Sequence, residues 1–208
     1  MAKHKKKIVY PIVFMIIVTS VFTLVLAVIN ELTYDIIQEQ SRIKTQSKLL
    51  YALDIEYENT DESIVSTYNE YITEKSTENY TYYIAEDNGE ILGYAFEVVG
   101  NGLWGTIRSY VAFNDSFSQL KGFDFISHSE TPGLGGRIDE RWFVDQFQGI
   151  DVSQSQDGEY LVFKPAIGGN IDSITGATST SKAVKSIFND NINEILQAKE
   201  EIIDESKN

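Results

Sequence analysis

The strongest pattern along the chain is an unbroken apolar run near its start. Ile8 to Asn30, IVYPIVFMIIVTSVFTLVLAVIN, contains no charged residue. Its length of roughly 35 Å as a helix is enough to cross a hydrocarbon core of about 30 Å. Val25-Leu26-Ala27 has the small-residue form of a leader cleavage site. The run nevertheless exceeds the roughly 7–15 apolar residues of a secretory leader, so it reads as a transmembrane anchor. Pro11 is expected in its first turn, where a missing N–H costs little. Lys3, Lys5, Lys6 and Lys7 precede the run, and Glu31 and Asp35 follow it. That asymmetry keeps the N-terminus in the cytoplasm and places everything after residue 30 outside it. From Glu31 to about Glu58 there is no Gly or Pro, and Leu32, Ile36, Ile43, Leu50 and Leu53 recur at helical spacing. The anchor helix is therefore expected to continue and to pack one stripe on the following domain. Residues 59–79 are polar, with Thr60-Asp61-Glu62-Ser63 in the form of a helix cap.

From Tyr80 the period changes to that of strands. Tyr80–Ala85, Ile91–Val99, Gly105–Phe113, Gln119–Ile126 and Tyr160–Lys164 read as strands, with Asn88-Gly89, Asn101-Gly102 and Asp157-Gly158 as turns. Asp139–Phe147 reads as a short helix with Trp142, Phe143 and Phe147 on its inner side. Ser181–Glu200 reads as a long one with Val184, Ile187, Phe188, Ile192, Ile195 and Leu196 on its apolar face. The predicted class is α+β, a curved antiparallel sheet with packed helices. The chain divides into a basic tail (1–7), a membrane helix (8–30), a helical connector (31–79), a folded domain (80–200) and a charged tail (201–208).

Charge and composition narrow the chemistry. The 17 basic and 31 acidic residues leave a net charge of −14, and four of those 17 are the N-terminal lysines. An acidic body repels phosphate backbones, which argues against nucleic acid as a partner. There is no cysteine, and the two histidines are His4 and His128. Cysteine nucleophiles, thiolate zinc sites and cysteine-ligated clusters are excluded, and no metal-ligand spacing is present. Redox chemistry would need an organic cofactor. Tyr80, Tyr82 and Tyr83 fit sheet packing better than base stacking, and the acid pairs fit a solvated surface.

The most informative stretch is Asp172-Ser173-Ile174-Thr175-Gly176-Ala177-Thr178-Ser179-Thr180-Ser181, just before the last helix. Small residues and hydroxyls gather where free N–H groups and the positive end of the helix dipole favour an anion. An ordinary hydroxyl-rich cap explains the same residues. Asp172-x-x-Thr175-Gly176-Ala177-Thr178 resembles the flavinylation motif Asp-x-x-(Ser/Thr)-Gly-Ala-(Ser/Thr) of the FMN-binding domain family. The resemblance implies FMN joined to Thr178 by a phosphoester bond that a separate, exported flavin transferase makes. Thr175, Gly176 and Ala177 would shape the loop. Asp172 would brace it or be read by the transferase.

A second stretch, His128-Ser129-Glu130-Thr131-Pro132-Gly133-Leu134-Gly135, resembles the family's Glu-Thr-Pro-Gly-Leu-Gly loop, and by that likeness Glu130, Thr131 and Leu134 would wall the flavin ring. A third, Gly100-Asn101-Gly102-Leu103-Trp104-Gly105, is similar to the C subunit of the Na+-translocating NADH:quinone oxidoreductase and adds Leu103 and Trp104 to the expected flavin contacts. The related G subunit of the Rnf complex is the next resemblance. Together these imply a flavoprotein in the cytoplasmic membrane with its FMN domain outside. It would be an electron-transfer subunit, not catalytic alone, whose partners are other membrane subunits of a redox-driven ion pump. A stand-alone flavinylated carrier shares this chemistry. Two readings from other classes are a non-redox anchored module and a hydrolase using His128 with a serine, although no Gly-x-Ser-x-Gly elbow is present.

Overall fold

In the computed structural model, which describes residues 2–77 and 81–206, the apolar run lies within one helix, α1 (Ala2–Ala52). Side chains from Val9 to Ile29 are exposed all round the helix, with Val18 alone half-buried. An apolar helix with no buried face suits lipid, and its length and composition are those of a membrane span. The helix begins well before Pro11, which therefore sits in its interior rather than in its first turn. Leu32 and Ile36 are also exposed, so the stripe expected from the connector begins only at Ile43, where the second compact unit, Ile43–Asn208, starts.

Helix α2 (Asp61–Tyr71) starts where the polar segment signalled a cap, with the Thr60 hydroxyl accepting from Ser63 N at 3.2 Å. It leads into β1 (Ile72–Ser76), a strand with no apolar alternation to announce it. Next come β2 (Thr81–Asp87), β3 (Glu90–Asn101), β4 (Thr106–Phe113) and β5 (Leu120–Ser127). Tyr80 lies outside the described residues. The five strands form an antiparallel meander in chain order. The β2–β3 hairpin closes through Asn88 and Gly89, both with positive φ (51° and 84°), a left-handed pair whose twist matches that of the strands.

Both faces of the sheet are covered. Tyr94, Phe96 and Val98 of β3 and Ile107, Val111 and Phe113 of β4 join one buried cluster with α4 (Thr178–Ser206), through Val184, Ile187, Phe188, Ile192 and Ile195. The alternate positions Ala95, Tyr110 and Ala112 pack against Ile43, Leu49, Leu50 and Leu53 of the chain around the end of α1. Burial on both faces is why these strands read as nearly continuous apolar runs. Asp124, buried in β5, accepts from Lys48 of α1 and from Arg141 of α3 (Arg141–Val144), each at 3.1 Å, and so ties both helices to the sheet edge.

Three expected elements differ. The segment 139–147 is a 3-10 turn, the short α3 and a second 3-10 turn. The changed angular spacing leaves Phe143 and Phe147 buried but Trp142 outside, 42% exposed, over the Arg137 guanidinium. Tyr160–Lys164 is not a strand. The N–H groups of its first three residues go to side chains instead: Asn189 Oδ1 accepts from Tyr160 and Leu161, and Asn170 Oδ1 accepts from Val162. The last helix is longer at both ends than its apolar spacing indicated, starting at Thr178 and continuing through the buried Ile202.

Phe123 sits at the centre of the aromatic core, its ring centroid 4.4 Å from Phe125, 4.8 Å from Phe147 and 4.2 Å from Phe188. Phe123→Ala should lower stability by about 3–5 kcal/mol, read as a loss of denaturation midpoint for the detergent-solubilised chain. A loss below about 1 kcal/mol would place the core elsewhere.

Candidate functional site

The first turn of α4 is built differently from a hydroxyl-capped helix. The first helical hydrogen bond runs from Ser181 N to Ala177 O, which puts Ala177, with no side-chain oxygen, at the capping position and Thr178 one place inside. Of the four hydroxyl residues that follow Ala177, two are buried and engaged with the protein. Ser181 Oγ accepts from Ile174 N at 3.1 Å, and the Thr180 hydroxyl donates to Glu130 Oε2 at 2.6 Å. Thr178 and Ser179 are exposed. The N–H groups of Thr178, Ser179 and Thr180 find no acceptor among the described residues. An exposed threonine hydroxyl thus stands beside free helix N–H groups and the positive end of a 29-residue helix.

Glu130 lies beneath this turn, 5% exposed, with both oxygens engaged. Oε1 accepts from Leu103 N at 2.8 Å and Trp104 N at 3.1 Å, while Oε2 takes the Thr180 hydroxyl. Its carboxylate faces the protein rather than an open wall. Room for it comes from two glycines: a Cβ at Gly102 would stand 2.5 Å from Oε1, and one at Gly135 would stand 2.7 Å from Oε2 and 2.5 Å from the Thr180 hydroxyl. Around this buried carboxylate three large apolar side chains remain outside: Leu103 (53% exposed), Trp104 (68%) and Leu134 (50%).

The Thr131 carbonyl accepts from Leu134 N at 3.1 Å and Gly136 N at 2.9 Å, folding the Thr131–Gly136 loop on itself. Leu134 reaches the other loop, since its Cδ2 would lie 3.8 Å from a Cβ placed on Gly176. Gly176 has φ +82°, a conformation that favours glycine. The structure therefore brings Leu103, Trp104, Glu130, Leu134, Gly176, Ala177 and the start of α4 together. Thr175 is exposed on the same loop. Asp172 is anchored by its backbone, its N–H donating to Gln146 Oε1 at 2.6 Å, while its exposed carboxylate pairs with Lys164 at 3.2 Å.

His128 is a structural residue. Its Nδ1 accepts from Glu130 N at 3.1 Å, and its Nε2 lies 3.0 Å from Asp139 Oδ2. Burial pushes the Asp139 carboxyl up, but the His128 contact and the Lys48 and Lys44 charges outweigh it and hold the carboxyl below its usual range. Among the described residues no cluster of His, Asp and Glu could hold a metal ion.

An FMN phosphate fits these residues. The orphan N–H groups and helix dipole suit an anion, Thr178 offers an accessible hydroxyl, and Leu103, Trp104 and Leu134 offer apolar surface to an aromatic ring. The part played by Thr180 is within reach of the sequence only as one hydroxyl among four. The roles of Gly102 and Gly135 as space for a carboxylate depend on contacts between loops far apart in the chain.

The FMN-binding domain family matches residues 102–193. The G subunit of the ion-translocating oxidoreductase complex of Shewanella piezotolerans is 34% identical over 165 residues, covering 76% of this chain and 74% of that protein. The C subunit of the Na(+)-translocating NADH-quinone reductase of Pseudomonas aeruginosa is 31% identical over 123 residues, covering 55% of this chain and 47% of that protein. The crystal structure of Shewanella oneidensis NqrC superposes with a TM-score of 0.62 over 72% of this chain and 91% of its own, at 20% identity, a likeness of fold.

A carboxyl held below its unfolded value stabilises the fold above about pH 4 and loses that contribution as pH falls through the folded value. The thermal midpoint should therefore drop on acidification below about pH 4, and Asp139→Asn should flatten part of that drop. An acid limb that is identical in the two proteins would remove Asp139 from the account.

Proposed function

The chain belongs to the FMN-binding domain family, which includes the G subunit of ion-translocating oxidoreductase complexes and the C subunit of Na(+)-translocating NADH-quinone reductases, and we propose that it carries FMN as a phosphoester on Thr178. It is a single-pass, membrane-anchored electron-transfer subunit of such a complex. The observation that carries the attachment point is the position of Thr178, exposed one place inside a helix whose cap is Ala177. A hydroxyl serving as a cap would occupy the place that Ala177 fills, so the simple capping role is not open to Thr178.

FMN, when bound, supplies reversible electron transfer, and the chain supplies binding, orientation and electrostatics. The free N–H groups of Thr178, Ser179 and Thr180 stabilise the remaining negative charge of the esterified phosphate. Leu103, Trp104 and Leu134 give the ring an apolar surface and keep water from part of it. The Asp172 carboxylate pairs with Lys164 rather than with the loop it precedes, and its exposure supports recognition by an exported flavin transferase over bracing. The flanking charges, with lysines before the membrane helix and acids after it, support an FMN domain on the extracytoplasmic side of the cytoplasmic membrane.

The likeness to the G subunit runs along about three quarters of both chains and favours membrane partners of that assembly. The Gly102-Leu103-Trp104 turn favours the assembly of the C subunit as the second reading. Co-purification of the anchored chain followed by identification of the attached subunits separates the two. His128 Nδ1 accepts from Glu130 N and its Nε2 lies 3.0 Å from Asp139, an arrangement that supports a structural role over the hydrolase reading.

Co-expressed with an exported flavin transferase, the chain should give a fluorescent band in a denaturing gel. Thr178→Ser should keep some label, because it keeps a hydroxyl, and Thr178→Ala should lose it while folding and inserting normally. Label that survives denaturation in Thr178→Ala would sink the attachment point.

A further inference from the structure

One side chain touches both the surface offered to the ring and the helix end offered to the phosphate. Through Oε1, Glu130 accepts from the backbone of Leu103 and Trp104 in the β3–β4 turn. Through Oε2 it accepts from Thr180, which lies in the same helical turn as Thr178. Its own N–H is fixed on His128, which in turn lies against Asp139. The turn is closed independently by Gly102 N donating to Gly105 O at 2.8 Å, so the carboxylate holds a formed unit rather than a loose strand end. Gly102 and Gly135, from two separate loops, leave the space the carboxylate fills. What Glu130 grips in Trp104 is the backbone; the residue as a whole is 68% exposed.

We propose that Glu130 is the positioning residue of this site: its two oxygens set the spacing between the Trp104 indole and the α4 terminus that bears Thr178, and so hold the indole against the flavin ring. The inference rests on the reading of Thr178 as the attachment point. A buried carboxylate suits this task. Its charge-assisted hydrogen bonds are short and directional, and leaving its three donors unpaired in a buried place is costly, so the two loops move as one body. An indole held against an isoalloxazine quenches its emission, and this makes the spacing readable.

The test uses the full-length, flavinylated chain in detergent, with flavin emission normalised to flavin absorbance. Trp104→Phe should brighten the flavin several-fold, and Glu130→Ala should brighten it to the same degree. The double variant should be no brighter than Trp104→Phe alone, since both changes remove one contact. Glu130→Gln should stay as dim as the parent, because its amide keeps an oxygen for the two backbone N–H groups and a donor for the Thr180 oxygen. Should Glu130→Ala fail to fold, Thr180→Val removes only the helix arm and should brighten the flavin, while Thr180→Ser should not. A dim Trp104→Phe, a Glu130→Ala or Thr180→Val as dim as the parent, or a double variant brighter than either single one overturns the proposal. A parent chain without covalent flavin overturns the Thr178 reading and this inference together. A flavinylated parent with an unresponsive Glu130→Ala overturns the inference alone.

Discussion

A carboxylate taken out of water must find its hydrogen bonds inside the protein, and the arrangement of this site follows from how Glu130 meets that demand. Its three acceptor contacts come from the β3–β4 turn and from α4, segments separated by more than seventy positions in the chain. Without the carboxylate, two backbone N–H groups and a buried hydroxyl would lose their partner. With it, a strand turn, a Pro-Gly loop and a helix terminus become one rigid corner. The two glycines that make room for it are therefore constrained by the same group, although neither has any chemistry of its own.

The corner is precise because the frame beneath it is stiff. Helix α4 packs Val184, Phe188 and Ile192 into the aromatic face of the sheet, and the opposite face is closed by the end of α1. A helix held along its length by a packed core presents its first turn in a fixed place, which a loop of the same sequence would not do. The irregular stretch before it is held differently. Asn189, from α4 itself, accepts the N–H groups of Tyr160 and Leu161, and its amide donates to Leu161 O at 3.0 Å. One buried asparagine does there what a neighbouring strand would otherwise do.

Such a frame suits an electron carrier. The histidine of the site, His128, accepts from Glu130 N and lies against Asp139. Electron transfer asks the protein for a fixed cofactor and a defined surface, and rigid elements at one end of the sheet would offer both to a flavin attached as proposed.

The membrane helix, strands β2 to β5, the Thr60 cap and the two loops that resemble the FMN-binding family are legible in the sequence. Each of these is written locally, in an apolar run, a strand period, a turn pair or a short motif. Strand β1 and the irregular segment at Tyr160–Lys164 are hidden because neighbours decide them: β1 gains its ladder from β2, and residues 160–162 give their N–H groups to asparagines from elsewhere. Trp142 reads as core only on a regular helical period, and two 3-10 turns change that angle. The inward turn of Glu130 is hidden for a further reason. By its likeness to the family's loop, Glu130 reads only as one of the residues that wall the ring. Only the tertiary structure brings Leu103, Trp104 and Thr180 to within hydrogen-bonding distance of it, and burial together with those donors makes it a strut.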